Sequence, residues 1–404
     1  MTNSQFDDLR PYYDEEIASA MRRITESEHF ATLASYVYPN KDVEEVKRII
    51  KSYTTIDEFQ HQVMTTVNEQ VIARSISRFT YEGIDKLDKD ACYLFVSNHR
   101  DIMLDSSLLQ QALHYSGYPT TEITFGSNLM SSQLIIDIGK SNKMFKVVRG
   151  GSAKDFYTNS LHLSEYIRYA LTQKQQSVWI AQRNGRTKDG IDATDQAIIK
   201  MFYMSHPENP VRALAELSIV PVAISYQWEP CDMLKAMELY QLRRTGAYAK
   251  KPGEDLNSIL TGINQPKGEV HISVCSPLSE ADLAPLSGLP NNKFNKQVAA
   301  LIDNRARRSY KLSCNSYIAH DIRSQSSRHA ARYTQEEKDE FTRRYSKAIA
   351  ADVEDKQMLS DIFLGIYANP VDSKQLASER ERGGGEKRSA RCIAERMAAS
   401  KDFL

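Results

Sequence analysis

Apolar residues recur at helical spacing over the first 78 residues. The pattern predicts helices over Glu15–Ser27, Lys41–Ser52 and Ile56–Ser77, the last carrying Phe59, Val63, Val67, Val71 and Ile72 near one face. Thr80 to Lys89 is a turn-rich connection with Gly83, Asp85 and Asp88. The pattern then changes to short apolar runs: Cys92–Val96, Glu122–Phe125, Phe145–Val148, Ser177–Ala181, Ile219–Ser225 and Val270–Cys275. Helical stretches fall between them at Ile102–Ser116 and Ser160–Gln173. Strand-length apolar runs separated by helices predict an α/β fold, a largely parallel sheet flanked by helices. Beyond Ser279 the helical period returns at Lys293–Tyr310, Gln335–Ala351 and Glu354–Tyr367. The expected organisation is an N-terminal helical domain over 1–78, an α/β domain over 79–285 and C-terminal helices over 286–372. A mobile tail over 373–404 completes it, and its basic residues, interleaved with acids around Gly383-Gly384-Gly385, read as solvated.

Composition narrows the partners. Lys and Arg total 52 against 52 Asp and Glu, so no global field argues for nucleic acid. The five cysteines (Cys92, Cys231, Cys275, Cys314, Cys392) are scattered, odd in number and outside metal-ligand spacing, which suggests a reduced, cytoplasmic protein without a metal. No apolar run reaches the roughly 18–20 residues of a membrane span. The N-terminus, MTNSQFDDLRPYYDEE, is acidic and lacks a signal-peptide apolar region. Membrane contact, if made, is expected to be peripheral, on the inner face.

Candidate chemistry centres on Val96-Ser97-Asn98-His99-Arg100-Asp101-Ile102-Met103-Leu104-Asp105. A β-branched and aromatic run leads into Asn98, a good helix N-cap, and a helical pattern follows. His99 therefore sits at a strand-to-helix turn, the edge where α/β enzymes keep their sites. An imidazole can take a proton from an alcohol, and Asp101 or Asp105 can fix its tautomer. Two further segments suit an anion. Met144–Gly151 is a strand ending in Arg149, Gly150 and Gly151, an arginine fork beside approachable backbone N–H groups. Val178–Lys188 is a buried strand running into a turn with Arg183, Asn184, Gly185, Arg186 and Lys188. Leu217–Ser225 is apolar except for its ends, and Pro221 within it implies an edge, a bulge or a bend.

A His with a nearby Asp, a strand ending in Arg, a Gly-Arg turn and a Val-Pro-Val strand, in this order over about residues 78–280, resemble the glycerolipid acyltransferase family. The string Trp179-Ile180-Ala181 and the helical N-terminal part look most like its soluble glycerol-3-phosphate acyltransferases. The resemblance implies an α/β sheet with the His-Asp pair at one edge. It implies transfer of a fatty acyl group, in phospholipid synthesis, from a thioester donor (acyl-CoA or acyl-carrier protein) to a hydroxyl of glycerol 3-phosphate or 1-acylglycerol 3-phosphate. The thioester is then a co-substrate, and no other cofactor is implied. His99 looks like the general base and its Asp like the orienting carboxylate. Arg149, Arg186 and Lys188, with Gly150, Asn184 and Gly185, are similar to the phosphate-binding positions. Val220, Pro221 and Val222 could line an acyl slot, with core packing as the default.

The chain departs from the pattern twice. Five residues separate His99 from Asp105 where the family usually has four, and one separates it from Asp101. An added residue turns a helix by about 100°; Asp105 is favoured, with Asp101 the alternative. Asn184 stands where the family commonly has Glu. The rival reading is a non-catalytic lipid- or phosphate-binding protein on the same fold. A His99–carboxylate hydrogen bond opening on a basic pocket supports the enzyme, whereas a buried His99 without a cleft supports the rival.

Overall fold

The computed structural model describes residues 4–148 and 150–381. Seven strands form one sheet: β1 (Ile76–Glu82), β2 (Leu94–Ser97), β3 (Glu122–Gly126), β4 (Met144–Val147), β5 (Val178–Ala181), β6 (Ile219–Tyr226) and β7 (Gly268–Val274). Their spatial order is β1-β7-β6-β2-β5-β3-β4. Every pairing is parallel except β6 with β7. The fold is thus α/β, a mostly parallel sheet flanked by helices, with helices at both ends of the chain.

The interior strands lack a polar face because both their faces are covered. All four residues of β2 and all eight of β6 are buried. Leu94 and Val96 of β2 point into a core shared with Phe145, Val178 and Ile180 and the helices Ala153–Thr172, Gln196–Tyr203 and Asn291–Ser309. Phe95 points the other way, into a core with Trp179, Val220, Val222 and the helix Leu104–Tyr115. The N-terminal helices close a core of their own around Ile17, Met21, Val46, Ile50 and Phe59. In the C-terminal part Phe341, Phe363 and Tyr367 pack with Trp228 and Leu239, which lie just beyond β6.

Several boundaries differ from the sequence reading. The helix predicted over Ile56–Ser77 ends at Ser75, after a π turn at Gln60–Met64, and β1 follows at once. Strand β1 occupies the ground assigned partly to that helix and partly to the turn-rich connection. It lies at the sheet edge with only Ile76 buried, so it carries no continuous apolar run to betray it. Gly83, which follows it at φ +84°, stands where a Cβ would come within 2.0 Å of the Val274 carbonyl oxygen. Helices at Phe30–Val37, Gln133–Ser141, Gln196–Tyr203, Asp232–Thr245, Glu254–Asn264 and Cys314–Arg323 were not predicted. The last helix runs Lys356–Glu381, so residues 373–381, read as the start of the tail, are helical. It continues through Pro370 because Val371, Leu376 and Ala377 bury their side chains beyond it. The remainder of the tail, including Gly383–Gly385, lies outside the described residues. No described helix is long and apolar enough to cross a membrane.

Pro221 is in an interior strand, neither an edge nor a bulge. Its carbonyl accepts from Cys275 N (3.0 Å) on the β7 side, one step past the last β6–β7 pair, Val222–Val274. A residue's N–H and C=O face the same side of a strand, so the N–H that proline lacks falls where the ladder has already ended.

Candidate active site

Because β2, β5 and β6 are parallel neighbours, their C-terminal ends open side by side at one edge. His99 leaves β2 between them. Asn98 does not cap the following helix. Its side chain bonds Ile224 N (2.8 Å), Ile224 O (2.9 Å) and Asp192 (3.0 Å), clamping the end of β2 to β6. The helix starts only at Leu104, and Asp101 takes the capping role: its Oδ1 accepts from Met103 N and Leu104 N, both at 2.9 Å. The other oxygen of Asp101 is buried without a hydrogen-bond partner, against Gly262, where a Cβ would come within 2.2 Å of it.

Asp105, and not Asp101, is the carboxylate bonded to His99. Its Oδ2 accepts from His99 Nδ1 (3.0 Å), Arg100 N (2.6 Å) and Asp101 N (2.8 Å), and its Oδ1 accepts from Tyr226 Oη (2.8 Å). Residues 101–103 bend instead of continuing a helix, and the bend absorbs the extra residue of spacing. Asp105 is fully buried, the His99 side chain is 12% exposed, and the imidazole stands edge-on to Trp179. A ring that donates Nδ1–H to a carboxylate keeps its basic lone pair on Nε2. Burial, followed by the charge of Asp105, pushes the Tyr226 phenol well above its ordinary value, so it stays a donor.

Beneath this pair lies a charged network with no signal in the sequence. Arg100, 1% exposed, donates to Asp192 from Nε (3.2 Å) and Nη2 (2.7 Å) and to Glu229 from Nη1 (3.3 Å). Lys235 donates to Glu229 (2.6 Å) and to the Arg100 carbonyl (2.6 Å). Burial would push the Asp192 carboxyl up, but Arg100 holds it below its ordinary value. Arg100 adjoins His99 in sequence and could have been noticed. Asp192, Tyr226, Glu229 and Lys235 lie about 90 to 135 residues away from it and follow no spacing rule.

The basic turn is tied to the pair through the backbone, Thr187 N donating to the His99 carbonyl (2.7 Å). Arg186 reaches a cleft of about 1120 Å³, also lined by Lys235, Leu234 and Met237. One of its guanidinium nitrogens, Nη1, is buried without a hydrogen-bond partner. Lys188 is ion-paired with Glu238, and burial pushes its ammonium pKa down. The cleft is not uniformly basic: Arg186, Lys235, Arg244 and Lys251 face Glu238, Glu254, Asp352 and Glu354. Asn184 is exposed and Gly185 takes φ +76° at the tip of the turn.

The other expected residues that are described lie elsewhere. Gly150 follows β4, the outermost strand, so β3 intervenes between it and the β5 turn. Two strand spacings make that roughly 10 Å. Arg149 lies outside the described residues. Val220 and Val222 are 0% exposed, and Pro221 is buried between β2 and β7. They are sheet core, the default reading of this stretch, because the strand is covered on both faces.

No family model matches the chain, and no curated protein sequence does. Among solved structures, the 1-acyl-sn-glycerophosphate (LPA) acyltransferase PlsC from Thermotoga maritima is 14% identical, with 71% of this chain and 93% of that chain covered at a TM-score of 0.32. So loose a superposition carries no argument about chemistry, which has to come from the residues.

Proposed function

We propose that the chain is an O-acyltransferase that moves a fatty acyl group from a thioester, acyl-CoA or acyl-carrier protein, to a hydroxyl of glycerol 3-phosphate or 1-acylglycerol 3-phosphate. The observation that carries this reading is the His99 Nδ1–Asp105 bond, which leaves Nε2 as a base at the sheet edge, one residue contact from the Arg186 turn. In the reaction Nε2 takes the proton of the acceptor hydroxyl while the oxygen attacks the thioester carbonyl. The thiolate then leaves and recovers the proton from the imidazolium, and no acyl-enzyme forms. Asp105 orients the ring and balances the imidazolium. Arg186 binds the acceptor phosphate, which orders the hydroxyl against the base and competes with water. The site would act in the cytoplasm, any membrane contact being peripheral. Thiol release assayed with each acceptor in turn tests the reading. Absence of thiol release with every acceptor would favour the non-catalytic binding protein.

Two predictions follow from particular bonds. Asp105→Asn removes the charge that balances the imidazolium and turns one of two accepting oxygens into a donor, and should lower turnover about 100-fold or more. Asp101→Asn keeps a good capping side chain and should leave turnover near wild type. A crippled Asp101→Asn beside an active Asp105→Asn would exchange the two roles. Arg186→Ala should raise the acceptor's KM by about tenfold or more, since a charge-assisted bond contributes roughly 1.5–3 kcal/mol. The thioester's KM should hardly move, and Lys188→Ala, whose cation Glu238 already pairs, should have the smaller effect. A rise in the donor's KM instead would assign the turn to the thioester.

A further inference from the structure

The C-terminal helices hold a group of side chains that the acyl-transfer reading does not use. His320 and Asp321, at the end of the helix Cys314–Arg323, face His329 from the loop that follows. One ligand atom from each lies within 4.8 Å of the other two. Two of the ring nitrogens, His320 Nδ1 and His329 Nε2, are buried and without a hydrogen-bond partner. Buried polar atoms are ordinarily satisfied, so a pair of orphans in one place calls for an absent partner.

The surroundings fix what that partner is. His320 Nε2 lies 3.3 Å from Asp372 Oδ1, and Arg323 holds the same carboxylate at 2.7 Å. With Nε2–H donated to Asp372, Nδ1 presents a lone pair. The two rings are 4.9 Å apart and nearly perpendicular, at 80°. The Asp321 carboxylate accepts from Ser326 Oγ, from Tyr333 Oη and from His329 N, the last shared between both oxygens. Those four contacts occupy the carboxylate's acceptor positions, so an Asp321 oxygen meets an ion by releasing its share of the His329 N–H. Two orphaned ring nitrogens and a carboxylate thus converge in one place.

We infer that His320 Nδ1, His329 Nε2 and an Asp321 oxygen form a binding site for a zinc-class divalent metal ion, with water completing its coordination. Two imidazoles and one carboxylate are zinc-type ligands, whereas calcium and magnesium prefer all-oxygen sites. Asp372 acts through His320, orienting the ring and raising its basicity. Metal–ligand bonds of about 2.0–2.1 Å require the three atoms to close to roughly 3.4 Å. His329 sits on a loop and can make that movement. Arg328 and Arg332 nearby oppose a cation, and Asp321 and Asp372 offset them. Bound metal would pin the 324–334 loop to the helix Cys314–Arg323, a structural role separate from His99 and independent of the acyl-transfer reading.

The test titrates the full chain, stripped with a chelator, with Zn²⁺ by calorimetry, and with Co²⁺ by its visible d–d absorption. One ion per chain is expected, with a higher melting temperature when it is bound. The double variant His320→Ala/His329→Ala should lose affinity by about 100-fold or more, and Asp372→Asn, which keeps all three ligands, by about tenfold or more. The pair His61→Ala/His114→Ala, another close ring pair at 4.9 Å, should leave binding unchanged. Absence of one-to-one binding overturns the inference, as does undiminished affinity in the double variant or in Asp372→Asn. Circular dichroism of each variant separates lost ligation from lost fold.

Discussion

His99→Ala is expected to slow acyl transfer by about 100-fold or more, the usual range for loss of a general base, and to leave the fold standing. The two halves of that expectation have separate causes. Turnover falls because Nε2 is the nitrogen that the Asp105 bond leaves basic, and alanine supplies none. The fold survives because Asp105 keeps three of its four donors, Arg100 N, Asp101 N and Tyr226 Oη. Thiol release at saturating acceptor, beside a thermal melt of the same preparation, checks both halves. A folded variant with wild-type turnover would sink the mechanism and favour the binding-protein reading.

The largest stability effect is expected at Arg100→Met, about 3–5 kcal/mol of destabilisation. Methionine fits much of the volume but leaves Asp192 and Glu229 buried without the guanidinium between them. Glu229 retains Lys235, whereas Asp192 is left with neutral partners such as Asn98 Nδ2 and should bear most of the penalty. The sign of the pH dependence distinguishes this cause from lost packing. In the native protein the Asp192 pKa is lowered, so its contribution is complete above the unfolded value of roughly 3.9 and is lost as pH falls through the folded one. In the variant, burial is no longer opposed, the folded pKa rises above the unfolded value, and protonation relieves the unpaired charge as pH falls. The stability difference between the two proteins should therefore narrow toward pH 4. Urea denaturation midpoints at pH 7 and pH 4.5 measure it; a gap that is constant with pH would assign the loss to packing.

The strands that the sequence disclosed were those covered on both faces. Leu94–Ser97, Val178–Ala181 and Ile219–Tyr226 are buried along their whole length or nearly so, and their apolar runs are continuous. The strand it hid, Ile76–Glu82, is exposed at the sheet edge, where Arg78, Thr80 and Glu82 are as acceptable as valine. Pro370 concealed the end of the chain in the opposite sense. A helix rule stops at proline, yet tertiary burial of Leu376 and Ala377 carries the helix on to Glu381.

What the sequence by itself determined is the local frame of the site: a buried strand, a histidine just past its end and two aspartates within six residues. Periodicity and turn chemistry act over a few residues, so these features are legible without a fold. It also placed a basic turn after a second buried strand. Only the tertiary structure decided which aspartate meets the imidazole, because that depends on a three-residue bend and on Tyr226 arriving from β6. The same holds for the cations. Lys188 is spoken for by Glu238, Arg186 reaches the cleft, and Gly150 stands a strand away from the turn. It holds also for Val220 and Val222, which sheet order places in the core. Charge pairing and burial are set by which strands become neighbours, and strand order in a parallel sheet is fixed by crossovers spanning many residues, beyond the reach of any local spacing.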